Sequence, residues 1–318
     1  MSKLFVNGCS VTLGAELGET TKLNPDGSTF QDVDFKYRTA HRWSTVLKDI
    51  LGMDEVVNLA RGGGSNWRTW RTTLDWFDTD DDPDLAIIQL SGTDRFQIPI
   101  NEKYFAGHYD MPDWEGWVTG GRYCPENDVY PVEEYSHWTV RQVNEMSDGP
   151  LKQELQTHSK FNSPIFQALD NMRLIETMIS FFRARNIPCY IWDGLTTLPT
   201  IRAVLFCLKE IELGQGNTPV GNIIEALSDP EWFYDFDKKE NYYSFLTLAK
   251  VYDKVYNKWQ KLQSMPELSM RNFSDLFISE DHPDFVGKMP GYHPDEKCHR
   301  EIANHLYFEM RGKGIWNH

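Results

Sequence analysis

Short apolar runs that break off into small or polar residues recur along this chain. Leu4-Phe5-Val6 runs into Asn7-Gly8, and the stretches EVVNLA (55–60), LAIIQLS (85–91) and IPCYIWD (187–193) repeat the pattern. Runs this short, closed by turn formers, predict strands buried on both faces. Between them the spacing of apolar residues changes to three and four. Residues 41–52 place Trp43, Val46, Leu47 and Ile50 on one face and end in Gly52. Residues 65–77 do the same with Trp67, Trp70, Leu74 and Phe77, which assigns both tryptophans to the core. The longest helical pattern is 163–185, with Ser163 as cap, Pro164 in the first turn, and Leu169, Met172, Ile175, Ile179 and Phe182 inward. A last one, 299–314, turns Ile302, Leu306 and Met310 inward and ends at Gly312. Strands alternating with helices of this length predict an α/β chain, with helices on both faces of a parallel sheet.

Two stretches interrupt the alternation. Residues 96–160 are rich in Trp, Tyr, Gly and Pro without a sustained period, and residues 195–270 read as mostly helical, with an amphipathic pattern over 243–262. Both are expected as insertions packed over the sheet of a single domain spanning 1–318. Aromatic residues make up 14% of the chain, including 11 Trp. The core accounts for most of them, while Trp114, Trp117, Tyr123 and Trp138 in the aperiodic stretch are candidates to line a substrate groove.

The net charge of −15 is spread along the chain. Binders of nucleic acid neutralise phosphates with clustered Lys and Arg, so this balance argues against nucleic acid, and it repels anionic membranes. Five cysteines, Cys9, Cys124, Cys189, Cys207 and Cys298, form no CxxC pair. That spacing predicts neither a disulfide framework nor a structural zinc site, and it suits a reducing cytoplasm. No stretch approaches the ~18 apolar residues of a membrane-spanning helix, and the first strand begins too early to leave room for a signal peptide.

Ligands of open parallel sheets sit beyond the C-terminal strand ends. The residues there are Gly8-Cys9-Ser10, Arg61-Gly62-Gly63-Gly64, Ser91-Gly92-Thr93-Asp94 and Asp193-Gly194. A serine in that position becomes a nucleophile only with a base in reach and donors aimed at the developing oxyanion. The Gly62–Gly64 turn is followed by no lysine and opens no dinucleotide fingerprint, so a phosphate loop is disfavoured. The candidate base is His293, in GYHPDEKCHREIA just before the last helix. His282 sits in a second His-Pro pair and reads as a loop residue, and His299 as a packed or solvated one. With Asp281, these histidines match no metal-ligand spacing, so no metal is expected.

GCSVTLG (8–14) resembles the GDSLTxG first block of the SGNH (GDSL) hydrolases, with Cys9 where the family has aspartate. NLARGGGSN (58–66) is similar to their second block, whose glycine falls on Gly63. LSGTD (90–94) lies where the family has its GxND third block, and HPDEKCHREIA (293–303) is similar to the fifth. The wording CSxTxG, NLAxGGxSN and HP also resembles SGNH-like proteins encoded by large bacteriophages. The resemblance implies a flavodoxin-like three-layer sandwich with a parallel sheet of about five strands. It implies a serine ester hydrolase that acts through an acyl-serine intermediate and needs no cofactor.

On this resemblance Ser10 is the nucleophile and His293 the base. The backbone N–H groups of Ser10 and Gly63 and the hydroxyl of Thr93 form the oxyanion hole. Thr93 stands where the family has asparagine, and Asn66 is the substitute donor. The family's supporting aspartate, three residues before the histidine, is Pro290 here. Of the nearby carboxylates Asp281, Asp284 and Asp295, none at the family's spacing, Asp281 is the candidate, and a histidine oriented by a backbone carbonyl is the alternative. The expected partner is a small-molecule or glycan ester, with the aromatic insertion favouring a carbohydrate ester, and neither nucleic acid nor membrane. The expected location is cytoplasmic, or virion-associated for a phage-encoded chain. The alternative is a non-catalytic SGNH-like protein that binds glycans or builds a virion. The sequence leaves the oligomeric state open.

Overall fold

The computed structural model describes residues 1–23, 29–79, 81–93, 95–99, 117–121, 137–139, 153, 164–212, 252–290 and 293–317. In chain order its elements are β1 (Lys3–Asn7), α1 (Ser10–Leu13), β2 (Glu19–Leu23), β3 (Thr29–Val33), α2 (Phe35–His41), α3 (Trp43–Leu51), β4 (Glu55–Asn58), α4 (Asn66–Phe77), β5 (Leu85–Leu90), β6 (Phe96–Pro99), β7 (Trp117–Gly121), β8 (His137–Thr139), α5 (Pro164–Ala184), β9 (Cys189–Asp193), α6 (Thr197–Glu212), α7 (Tyr252–Gln263), β10 (Leu268–Asn272) and α8 (Glu296–Gly312). Five of the strands form one sheet in the order β10-β9-β5-β1-β4, and every pairing within it is parallel. Counted along the chain, that order is second, first, third, fourth, fifth strand, which is the flavodoxin-like arrangement.

Alternation along each strand divides the core in two. Leu4, Val6, Leu85, Ile87, Tyr190 and Trp192 face a layer built with Trp43 and Leu47 of α3 and Ile302, Leu306 and Met310 of α8. Phe5, Ala86, Ile88, Leu90, Cys189 and Ile191 face the other, with Phe77 of α4, Ile175, Ile179 and Phe182 of α5, and Leu198 and Ile201 of α6. Both faces are covered, which is why the strands read as near-continuous apolar runs. The Trp43 ring meets Trp192 edge-on at 5.4 Å, and Phe5 packs on Phe77 at 5.4 Å.

The structure also departs from the expected pattern. Trp67 is 42% exposed, and its Nε1 donates to Asp170. The inward face of α4 carries Thr69 and Thr73 instead, because the Asn7 side-chain amide at the end of β1 donates to Thr69 O and to the hydroxyls of Thr72 and Thr73. Short threonines allow that approach and an indole does not. Ile50 of α3 likewise turns outward. The last helix starts at Glu296 rather than 299, with Asp295 accepting from Cys298 N at 2.8 Å as its cap.

The strand β10 overlaps the end of the stretch read as an insertion, and the antiparallel pair β2–β3 was not anticipated. Within 96–160, β6, β7 and β8 form a small separate sheet. Trp114, Tyr123, Cys124 and Asp94 lie outside the described residues, as do the side chains of Trp117, Trp138 and Cys207. Among the described residues, no helix is long and apolar enough to cross a membrane.

What positions the first loop is one side chain of the central sheet. The single turn α1 leaves its leading N–H groups without helical partners, and they lie in the interior. Gln89, fully buried on β5, supplies the acceptor: its Oε1 takes bonds from Cys9 N (3.3 Å), Thr12 N (3.1 Å) and Thr12 Oγ1 (2.7 Å). Its Nε2 donates to Cys9 Sγ and to Leu90 O. The approach requires glycine at position 8, where a Cβ would stand 2.7 Å from Gln89 Cβ. Gln89→Leu leaves three donors without their acceptor in a dry interior. The substitution should lower stability by on the order of 2–4 kcal/mol, read as a drop in the urea midpoint. An unchanged midpoint would show that α1 is held by something else.

Candidate active site

In this strand order the switch point lies between β1 and β5, and the crevice beyond their C-terminal ends is where a ligand is expected. Ser10 ends the β1 segment and opens α1, with 5% of its surface exposed. Among the described residues, its backbone N–H makes no hydrogen bond. Thr93 stands just past β5, 4% exposed, and its hydroxyl likewise makes no hydrogen bond among the described residues.

The glycine turn after β4 lies against the same loop. Gly64 N donates to Arg61 O at 3.1 Å, and Arg61 N reaches Gly8 O at 3.4 Å. A Cβ on Gly64 would sit 3.3 Å from Gly8 O. Gly63, the pivot of the turn, has φ +70°, a conformation that favours glycine. Arg95 ties the third loop to the second, donating from Nη1 to Gly64 O and to Ser91 Oγ. The fold thus gathers Ser10, Gly63 and Thr93 at one end of the sheet.

Asn66 is committed elsewhere. Its Nδ2 donates to Asn171 Oδ1 (2.6 Å) and Thr197 Oγ1 (3.0 Å), and its Oδ1 accepts from Ser91 N (2.6 Å). Both amide hydrogens are used, so Asn66 braces α4 against α5 and α6 and has no donor to offer an oxyanion. Asp193 plays a similar part. Its carboxylate accepts from the N–H groups of Leu195, Thr197 and Leu198, capping α6, and burial pushes its pKa up to about 7.

His293 is held from the segment before it, where Met289 N donates to His293 O at 2.7 Å and Lys288 forms an antiparallel bridge with Pro294. Its Nδ1 lies 2.7 Å from Glu16 Oε1, so the carboxylate on the imidazole is Glu16 and not Asp281. Asp281 is exposed, in a loop closed on itself by His282 N to Ser279 O and Phe285 N to His282 O. The side chain of His282 faces Asp275 at 4.0 Å and accepts from Asp284 N. His299 is buried, its Nδ1 accepting from Trp43 N, and burial lowers its pKa to about 3. It is a neutral link between α8 and α3.

Glu16 belongs to the loop that Ser10 begins. Gly14 N and Ala15 N both donate to Ser10 O at 3.0 Å, which folds the chain back so that Glu16 follows directly. The imidazole therefore docks on the loop that Ser10 begins. Ser10 Oγ itself lies 3.9 Å from Cys9 Sγ, and neither Ser10 nor His293 has the other as its hydrogen-bond partner. In unliganded sites such bonds are often long and tighten only with substrate. A cleft of 760 Å³ opens one residue beyond Glu16, between Leu17, Glu19, Tyr37, Met289 and Arg300, and Ser10 does not line it.

Two residues of this arrangement escaped the sequence. Gln89 carried a signal, as a lone polar residue inside the apolar run LAIIQL. Glu16 carried almost none, since its partner lies 277 residues away.

A family of unknown function, DUF6071, matches residues 24–130, about a third of the chain. No curated protein matches it. Among solved structures, the chain is similar to one described as a "putative lipolytic protein of G-D-S-L family" from Desulfitobacterium hafniense DCB-2. The identity is 11% and the TM-score 0.37, over 97% of this chain and 99% of that one. A superposition that loose has no bearing on the site, which stands on the geometry above.

Proposed function

We propose that this chain is a serine ester hydrolase of SGNH type. The observation that carries the reading is the meeting of the chain's two ends. His293 is held at 2.7 Å from Glu16, on the loop that Ser10 opens at the switch point of the sheet. In the proposed reaction Ser10 Oγ attacks the acyl carbon while its proton passes to Nε2 of His293. The negative oxygen that forms is held by the N–H groups of Ser10 and Gly63 and by the Thr93 hydroxyl. Collapse breaks the bond to the alcohol, which leaves with the proton from Nε2. Water then attacks the acyl-serine, giving its proton to the same nitrogen, and the acid departs as Ser10 recovers its hydrogen. The proposed substrate class is an acylated carbohydrate, supported by the aromatic residues of 96–160.

One observation favours the rival reading of a non-catalytic binding protein, namely that the Ser10 hydroxyl rests near Cys9 Sγ rather than on the imidazole. Labelling by a fluorophosphonate, with the adduct located by mass spectrometry, separates the two. The hydrolase should be labelled at Ser10, and Ser10→Ala should abolish labelling and lower kcat by roughly 10⁴-fold or more with folding intact. Ester hydrolysis unchanged in that variant would end the catalytic reading. For the oxyanion hole, Thr93→Val should cost on the order of 10²-fold in kcat with KM little changed, measured on an acetyl ester. Thr93→Asn should retain the rate. A valine variant as fast as wild type would remove Thr93 from the hole.

A further inference from the structure

The carboxylate that faces His293 comes from an unexpected place. It is not on the segment before the histidine, where Pro290 occupies the third position upstream, but on the loop that leaves Ser10. The Glu16 side chain is 7% exposed and that of His293 18%. Glu16 stands at φ +68°, a left-handed conformation that residues with a side chain rarely adopt. Its backbone is clamped from behind. Glu16 N donates to Glu19 Oε1 at 2.8 Å, and the same oxygen receives Arg38 Nη2 at 2.6 Å, with Arg38 almost wholly buried. A buried ion pair thus fixes the backbone of a strained residue whose side chain ends on an imidazole nitrogen. An incidental surface pairing needs no such support.

From this we infer that Glu16 is the positioning carboxylate for His293. It accepts the Nδ1–H, which holds the neutral ring in the tautomer whose Nε2 lone pair is open, and it stabilises the imidazolium once Nε2 takes a proton. Glu16 does not itself receive the proton. The nucleophile's loop then carries both Ser10 and the group that orients the base, so their spacing is set by six residues of chain rather than by the docking of a distant loop. The catalytic consequence rests on the hydrolase reading of Ser10 and His293, whereas the tautomer does not.

Two variants and two readouts test the assignment. Glu16→Gly suits the positive φ and removes the carboxylate without straining the fold, and Glu16→Gln keeps the size and removes the charge. Long-range proton–nitrogen NMR in alkaline buffer should find neutral His293 as the Nδ1–H tautomer in the wild type. In Glu16→Gly it should become a mixture dominated by Nε2–H. In an active enzyme both variants should lower kcat by about 10²–10⁴-fold with KM little changed, while Glu16→Asp should recover part of the loss. A tautomer that stays the same in Glu16→Gly overturns the assignment, whatever the rates. A tautomer that changes in a protein neither labelled at Ser10 nor hydrolytic keeps Glu16 as the holder of the ring and defeats the hydrolase reading alone.

Discussion

The arrangement depends on satisfying backbone N–H groups where no water reaches them. A one-turn helix at the end of a central strand has donors that no carbonyl of its own can take, and leaving them bare costs more than the turn gains. Gln89 resolves this from the neighbouring strand. Its side-chain oxygen takes Cys9 N, Thr12 N and the Thr12 hydroxyl at once, and its nitrogen points to Cys9 Sγ. The N–H of Ser10 stays outside that set. One side chain thus closes the interior donors around Ser10 and leaves the serine's own N–H without an acceptor among the described residues, which the proposed oxyanion hole requires.

That selectivity constrains the surrounding residues. Position 8 has no room for a Cβ, so the loop can begin only with glycine. The second loop follows the first, since Arg61 N bonds to Gly8 O and Asn58 Nδ2 to Thr12 O at 2.9 Å. Arg95 then carries the constraint to the third loop through Gly64 O and Ser91 Oγ, and Asn66 to α5 and α6. Among these loops, side chains of Asn and Arg act mainly as braces. Asn66 shows why residue type alone misleads at such a site. It stands beside the glycine turn with the right chemistry for an oxyanion donor, but both its hydrogens already have acceptors.

The features legible in the sequence were those that depend on neighbours in the chain. Alternation and run length revealed four of the five sheet strands, because strands buried on both faces have to be apolar throughout. β10, Leu268–Asn272, was missed because its sequence, LSMRN, has no apolar run, with Leu268 and Ser269 buried and Met270, Arg271 and Asn272 only partly so, at the end of a stretch that read as mostly helical. Trp67 was misassigned for a related reason. Helical spacing identifies a face but does not say which face a strand end will pull inward, and Asn7 drew in the threonines. The serine, the glycine turn and the final histidine could be picked out by their positions after strands and before the last helix. Glu16 could not, because it lies in GAELGE, where no period or motif distinguishes it from any solvated glutamate.

The geometry of Glu16 also ties the candidate site to the topology of the chain. Ser10 and its loop are organised by β1, β4 and β5, elements close together in sequence, and could be in place early. His293 comes from beyond residue 280, directly before α8, which packs on α3, where His299 takes the Trp43 N–H. Contacts of such long separation form late, since the entropy of closing the intervening chain has to be met first. The strained, buried Glu16 on the loop that Ser10 opens therefore meets an imidazole from the far end of the chain. The contact joins the segment before the C-terminal helix to the first loop, across 277 residues of chain. The packing that closes the fold is thus also what brings the imidazole to the loop of Ser10.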